Sequence, residues 1–114
     1  MKKLMAFSAP ILPGKTEQWK KFIETLQGPR KHEFIESRKS VGVHERTFLQ
    51  QTPMGDVVIV TLEGEDPAGS FTKFAHTENE FAKWFVKEVE EIHGFNLKDI
   101  TKMPMPEMLL DAGN

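Results

Sequence analysis

Residues 43–63 read VHERTFLQQ, TPMGD and VVIVTLE in succession. Two strand-like runs flank a segment that contains proline and glycine, and this pattern predicts a β-hairpin. The second run is apolar on both of its alternating faces, as expected of an inner strand, whereas the first carries charged and amide side chains, as expected of an edge strand. With a five-residue turn, Gln51 pairs with Val57 and Phe48 pairs with Val60.

Amphipathic helices are predicted on both sides of this hairpin. Before it, an apolar stripe at helical spacing indicates a first helix, which is interrupted by Gly28-Pro29 and resumes up to about Ser40. After it, Asp66 is placed to cap a short helix, and Thr77 and Glu80 have the spacing of a capping box for a longer one. The two apolar stripes are Trp19, Phe22, Ile23 and Leu26, and Phe81, Phe85, Val89 and Ile92.

A first strand is predicted over Leu4–Ala9, and its two apolar faces indicate an inner position beside the strand at 57–62. A last strand is expected either around 97–100 or near 108–110. The order strand, helix, strand, strand, helix, strand is typical of the ferredoxin-like split βαβ arrangement. We therefore expect one α+β domain over residues 1–114, with an antiparallel four-stranded sheet and helices on one face.

Both faces of the predicted sheet are apolar, but the helices cover only one of them. The other face needs a partner, so we expect a homodimer through the open sheet face. An apolar carboxy-terminal tail is expected to pack at the same interface, and it comprises Met103, Met105, Met108, Leu109 and Leu110.

Composition excludes several classes of function. Charged residues make up 28% of the chain with a formal net charge of -2, and they are interspersed, which indicates neither a nucleic-acid partner nor an anionic membrane surface. The absence of cysteine excludes disulfides, thiolate metal sites and cysteine nucleophiles. No apolar run approaches the ~20 residues of a membrane span. The apolar run at the amino terminus breaks at Pro10, which favours a strand over a signal peptide and a cytoplasmic location by default.

Over most of the chain, through Leu12-Pro13-Gly14-Lys15, the hairpin at 43–63 and residues 81–85, the sequence resembles the dimeric α+β barrel superfamily. This superfamily includes antibiotic-biosynthesis-type monooxygenases and stress-responsive barrel proteins. More narrowly, at Glu36-Ser37-Arg38, Phe48-Leu49, Glu63-Gly64-Glu65-Asp66-Pro67 and Lys83-Trp84-Phe85 the chain is similar to small bacterial members of unassigned function. The resemblance implies a homodimeric ferredoxin-like scaffold, on which oxygenases, haem enzymes, isomerases and binding proteins all occur, so it does not choose an activity.

Four histidines are the first candidates for chemistry, since histidine titrates near neutral pH. None of them has the local spacing of a metal site, and we predict neither a metal nor a cofactor. His76 lies at a break between helical segments, where it could act as a general base or haem ligand, and His44 is the second catalytic candidate. The structural alternative is a surface or helix-end histidine, for which His93 beside a helix carboxy terminus is the plainest case.

Two groups of residues are candidates for ligand binding. Arg46 and Phe48 share a strand face with His44, and Arg38 approaches from a helix end, so these residues could hold an anionic or carbonyl-bearing ligand. The alternative is ordinary edge-strand charges in ion pairs. The second group is aromatic and comprises Phe74, Phe81 and Trp84, for which the alternative is plain core.

These observations predict a small soluble homodimer that binds a small organic molecule, aromatic or anionic, in a pocket between helices and sheet. A cofactor-independent enzyme of monooxygenase or isomerase type is the first alternative. A dimer that only assembles a larger complex is the second. The sequence leaves open whether the protein is an enzyme.

Overall fold

The hairpin predicted from residues 43–63 forms, and the amino-terminal strand completes a three-stranded sheet. The computed structural model describes residues 2–113. In chain order the elements are β1 (Lys3–Pro10), α1 (Thr16–Gln27), α2 (Lys31–Val41), β2 (Val43–Thr52), β3 (Gly55–Gly64), α3 (Pro67–Ala75), α4 (Glu80–His93) and α5 (Leu97–Ile100). β3 is central and antiparallel to both neighbours, so β1 and β2 are parallel to each other with β3 between them. This topology is compatible with a ferredoxin-like fold.

The predicted fourth strand is wrong for the described part of the chain. The first candidate segment, Leu97–Ile100, forms the single helical turn α5, where Asn96 Oδ1 accepts a hydrogen bond from the Lys98 backbone N–H at 2.8 Å. The second candidate lies within residues 104–113, which form no regular secondary structure. β1 pairs only with β3, so it is an edge strand of this sheet and not the inner strand that was predicted.

The predicted hairpin register is also wrong, by one residue. The turn consists of two residues, Pro53-Met54, because Thr52 pairs with Gly55 and its hydroxyl donates to the Gly55 carbonyl at 2.6 Å. Phe48 therefore pairs with Ile59 and not with Val60. A shift of one residue exchanges the faces of a strand, so Phe48 lies on the side away from the helices.

The two faces of the sheet have different surroundings. On the helix side, Ala9, Val58 and Leu62 are buried, and Val58 packs into one core with the apolar stripes of α1 and α4. On the opposite side, Leu4 is 47% and Phe48 is 52% exposed. Helices thus cover one sheet face, as the pattern predicts. No helix within residues 2–113 has the length and apolar character needed to cross a bilayer.

Most helix limits follow the predicted signals. α2 ends at Val41, and the next residue, Gly42, has a positive φ of 75°, a conformation that favours glycine. α3 begins at Pro67, and the Asp66 carboxylate accepts from the Gly69 N–H at 3.1 Å.

The start of α4 differs from the prediction. Asn79 caps this helix, and its Oδ1 accepts from the Ala82 N–H at 2.8 Å. The capping box predicted for Thr77 is therefore wrong. The Thr77 hydroxyl instead donates to the Lys73 carbonyl at the end of α3, at 2.9 Å.

Candidate ligand-binding pocket

A cavity of about 350 Å³ lies between the helices and the inner face of the sheet. Alternation along the strands places every second side chain on this face, which gives the cavity an apolar floor. Rings and branched side chains of the helices form most of its roof. The floor includes Phe7, Ala9, Val58, Val60 and Leu62, and the roof includes Trp19, Phe22, Phe34, Phe74, Phe85 and Val89.

The cavity opens towards the β2 side of the sheet. Four of its lining residues, Gln27, Lys31, Ile35 and Thr47, are exposed to solvent. Three of them belong to the region where α1 passes into α2, and Thr47 lies on β2. We infer that the mouth lies between these helices and the β2 edge.

A buried ion pair occupies one end of the cavity. Arg38 Nε donates to Glu45 Oε1 at 2.7 Å, and both side chains are only about one-tenth exposed. The Thr47 hydroxyl donates to the second carboxylate oxygen of Glu45 at 3.2 Å. The opposite charges of Arg38 and Glu45 compensate each other, so this end of the cavity carries no net charge.

Aromatic rings hold the Arg38 guanidinium in place. Its central carbon lies 4.3 Å from the centre of the Phe74 ring and 4.7 and 4.9 Å from those of Phe34 and Phe85. A guanidinium over an aromatic face is attracted by the ring quadrupole, and more strongly when water is excluded. Arg38 is therefore a fixed wall of the cavity.

His93 lies at the other end of the cavity lining. Its Nδ1 is 2.8 Å from the Pro10 carbonyl oxygen, and since a carbonyl only accepts, Nδ1 carries the proton in this contact. Burial lowers the pKa of the His93 imidazole from its usual 6.5, and the hydrogen bond to Pro10 opposes this shift more weakly. The ring is therefore neutral near pH 7, with a free lone pair on Nε2.

The two polar ends of the cavity are well separated. Pro10, which holds His93, pairs with Val57, whereas Glu45 pairs with Leu62. Five residues of strand span roughly 17 Å. One small ligand would thus contact His93 or the Arg38–Glu45 pair more readily than both.

The structure brings together only part of the predicted site. Arg38 and Phe74 line the cavity. His44, Arg46 and Phe48 share a strand face as expected, but they pair with Glu63, Thr61 and Ile59 on the face away from the helices. There Arg46 Nη1 lies 3.4 Å from Glu63 Oε1. These three residues do not join Arg38, because the register differs by one residue from the predicted one.

The remaining predicted residues lie outside the cavity lining. His76 is exposed at the end of α3, and its Nδ1 contacts the Thr72 carbonyl at 2.9 Å. Phe81 and Trp84 pack on each other with their ring centres 5.8 Å apart. The Arg30 guanidinium covers this aromatic pair, 4.6 Å from the centre of the Trp84 ring.

Two polar residues at the ends of the cavity, His93 and Glu45, were not predicted as site residues, and His93 was interpreted as a helix-end histidine. His93 follows Val89 by four residues, so it lies on the apolar stripe of α4. A histidine that only favours the helix end would not need to lie on that stripe. Glu45 alternates with His44 and Arg46, which places it on the same face as Val43 and Thr47. Spacing alone shows with which residues each of them shares a face, but it does not show which face of β2 meets the helices.

Residues 2–113 hold no cluster of three or more histidine or carboxylate side chains that could bind a metal ion. The cavity can therefore offer an occupant apolar contacts, a compensated ion pair and a neutral imidazole.

No protein-family model, curated protein or solved structure matches this chain.

Proposed function

We propose that this protein binds a small organic molecule with an apolar, aromatic-sized body in the cavity between helices and sheet. The observation that carries this proposal is the cavity itself, which at about 350 Å³ falls within the range of small-molecule pockets. Its walls are mostly apolar with a few polar groups at the ends, as in such pockets generally. Each Å² of apolar ligand surface removed from water would contribute about 25 cal/mol.

Behind the exposed Lys31 at its mouth, the charge balance inside the cavity favours a neutral ligand over an anionic one. Arg38 is the buried cation of the lining, and Glu45 already neutralises it at 2.7 Å. An anion placed there would meet the Glu45 carboxylate as well and would lose its hydration in an apolar site. Of the aromatic and anionic ligands expected from the sequence, we therefore propose the aromatic class.

The two tryptophans of the chain provide a direct test, because Trp19 lines the cavity and Trp84 does not. In a Trp84→Phe variant, Trp19 is the sole indole reporter. We expect the neutral probe N-phenyl-1-naphthylamine to quench Trp19 fluorescence saturably. The anionic probe 8-anilinonaphthalene-1-sulfonate should bind more weakly.

A matched pair of substitutions on β3 provides the control. Val60 lines the cavity, whereas Ile59 is its neighbour on the opposite sheet face. Val60→Phe should fill the cavity and abolish quenching, and Ile59→Phe should leave it intact. Unchanged quenching in a folded Val60→Phe variant, verified by circular dichroism, would overturn the proposal.

We also propose that the protein is a homodimer of the dimeric α+β barrel type, formed through the open sheet face. Leu4 and Phe48 on this face are about half exposed, and Leu109 and Leu110 in the tail are each 85% exposed. Large apolar side chains that are exposed in this way favour a partner surface. The ferredoxin-like strand order is compatible with this assembly.

Native mass spectrometry tests the assembly. We expect a two-chain species for the wild type and a single chain for Phe48→Glu, because a carboxylate on each copy would be desolvated at the interface. Thr72→Glu adds the same charge on the exposed side of α3 and should leave the dimer intact. A monomeric wild type would contradict the proposal.

A further inference from the structure

His93 has one ring nitrogen committed to the protein and one that is not. The Nδ1–H donates to the Pro10 carbonyl at 2.8 Å, and this fixes the tautomer of the neutral ring. Nε2 then carries a lone pair, and no hydrogen bond to it is formed by residues 2–113. His93 is therefore an acceptor without an internal donor.

The surroundings of His93 offer no substitute for that missing donor. The ring stacks on Phe95 with centres 5.6 Å apart and an interplanar angle of 16°. Val89 and Leu97 line the same part of the cavity, and neither has a polar side-chain atom. Burial keeps the ring neutral by lowering its pKa. Nε2 is not fully buried, so a donor can reach it from solvent or from a molecule in the cavity. A ligand that displaces water from Nε2 must supply that donor itself.

We propose that His93 Nε2 accepts a hydrogen bond from the bound ligand, and that the ligand class is a neutral aromatic compound bearing a hydroxyl or N–H donor. This proposal rests on the proposed ligand-binding function and makes it more specific. Apolar walls hold the ring of the ligand, and the donor group reaches the half-buried imidazole. His93 is thus a specificity-determining residue, because a ligand without a donor leaves a partly desolvated acceptor unpaired.

Two probes of nearly equal shape test the donor requirement. 1-Naphthol carries a hydroxyl donor, and 1-methoxynaphthalene has the same ring with the donor replaced by a methyl ether. We expect isothermal titration calorimetry on the full chain near neutral pH to show about three- to tenfold tighter binding of 1-naphthol, which is the range for one neutral hydrogen bond.

Two substitutions separate binding from structure, because asparagine and glutamine each imitate a different nitrogen of histidine. His93→Asn places an amide N–H near the position of Nδ1, so it retains a donor to Pro10 and loses the acceptor. His93→Gln places its amide near the position of Nε2 and retains an acceptor there. The preference for 1-naphthol should vanish in His93→Asn and persist in His93→Gln.

The outcomes separate the role of His93 from the ligand binding on which it depends. Equal binding of both probes by the wild type, or a preference that survives in His93→Asn, would overturn the role of His93 and leave ligand binding standing. Failure of both naphthalene probes and of N-phenyl-1-naphthylamine to bind would overturn both. A preference present in the wild type and lost only in His93→Asn supports the inference.

Discussion

Arg38 and Glu45 form a buried ion pair, because both side chains are only about one-tenth exposed and Arg38 Nε lies 2.7 Å from Glu45 Oε1. Removing one partner of a buried pair leaves the other charge without compensation. We predict that Arg38→Met lowers the free energy of unfolding by about 3 kcal/mol. Urea denaturation monitored by circular dichroism measures the change.

The double variant Arg38→Met/Glu45→Leu serves as the control for this prediction. It removes both charges and replaces them with apolar side chains, so we expect it to be more stable than Arg38→Met alone. If the double variant loses as much free energy of unfolding as the two single variants together, the two residues are not energetically coupled.

His93 makes the stability of the fold depend on pH. Its pKa in the folded protein is lowered from the usual 6.5 by burial, so below about pH 6.5 the unfolded chain binds the proton more readily than the folded one. The free energy of unfolding therefore falls as the pH decreases from 6.5 to the lowered pKa, and the full contribution is present above 6.5.

We predict that urea unfolding between about pH 5 and pH 8 shows this loss in the wild type. The His93→Asn variant lacks the titrating group and should show a shallower dependence. Other titrating residues contribute equally to both proteins, so the difference between the two curves isolates His93. Parallel curves would contradict the prediction.

At the level of single residues, part of the cavity was predictable from the sequence. Phe74 was predicted from helical spacing, which assigns a face without reference to other elements. Arg38 was predicted to join His44 and Arg46, and it instead lines the cavity beside Glu45. The face of His44, Arg46 and Phe48 depends on strand register, which local composition did not specify. Glu45 was missed for the same reason, since it lies on the other face of the same strand.

At the level of elements, Gly64 lies where the end of β3 meets the end of α2. A Cβ at this position would collide with the backbone carbonyl oxygen of Gly42, whereas a Cβ at Gly42 meets nothing within 4 Å. The backbone at Gly42 cannot move aside as a flexible side chain does. We therefore predict that Gly64→Ala lowers the free energy of unfolding by about 2–3 kcal/mol.

Gly42→Ala is the comparison for this prediction. It has room for the methyl group, but its φ of 75° costs a residue other than glycine about 1–2 kcal/mol. The urea midpoints of the two variants show which substitution destabilises the protein more. A Gly42→Ala variant less stable than Gly64→Ala would show that the contact relaxes at little cost.

Helices were easier to predict than strands and turns. The stripe of Trp19, Phe22 and Leu26 is buried as expected, because a period of 3.6 residues over three turns is an unambiguous signal. The segment TPMGD supports either a five-residue or a two-residue turn, and the pairing of Thr52 with Gly55 decides for the shorter one. α5 has only four residues, which are too few to show either the helical period of 3.6 residues or the strand period of two.

At the scale of the whole molecule, the tail over residues 104–113 contributes little to the core of one chain. Met108 is 53% exposed, and Leu109 and Leu110 are 85% exposed. We predict that deleting residues 104–113 changes the thermal midpoint of the monomeric Phe48→Glu variant little. In the otherwise wild-type chain the same deletion should weaken the dimer.

Light scattering over a dilution series, combined with thermal melts, tests both parts of this prediction. The expected result is a dimer that dissociates at higher protein concentration after truncation. A truncated chain that melts much earlier but dimerises normally would place the tail in the fold of one subunit instead.

The order of synthesis has a consequence for β1. Its pairing is entirely long-range, with Pro10 opposite Val57 and Lys3 opposite Gly64, whereas β2 meets β3 across a two-residue turn. A ribosome adding about 5–20 residues per second completes β3 several seconds after β1 has been made. During that interval the apolar LMAFSA segment of β1 has no strand to pair with, which leaves it open to a holding chaperone until β3 has been made.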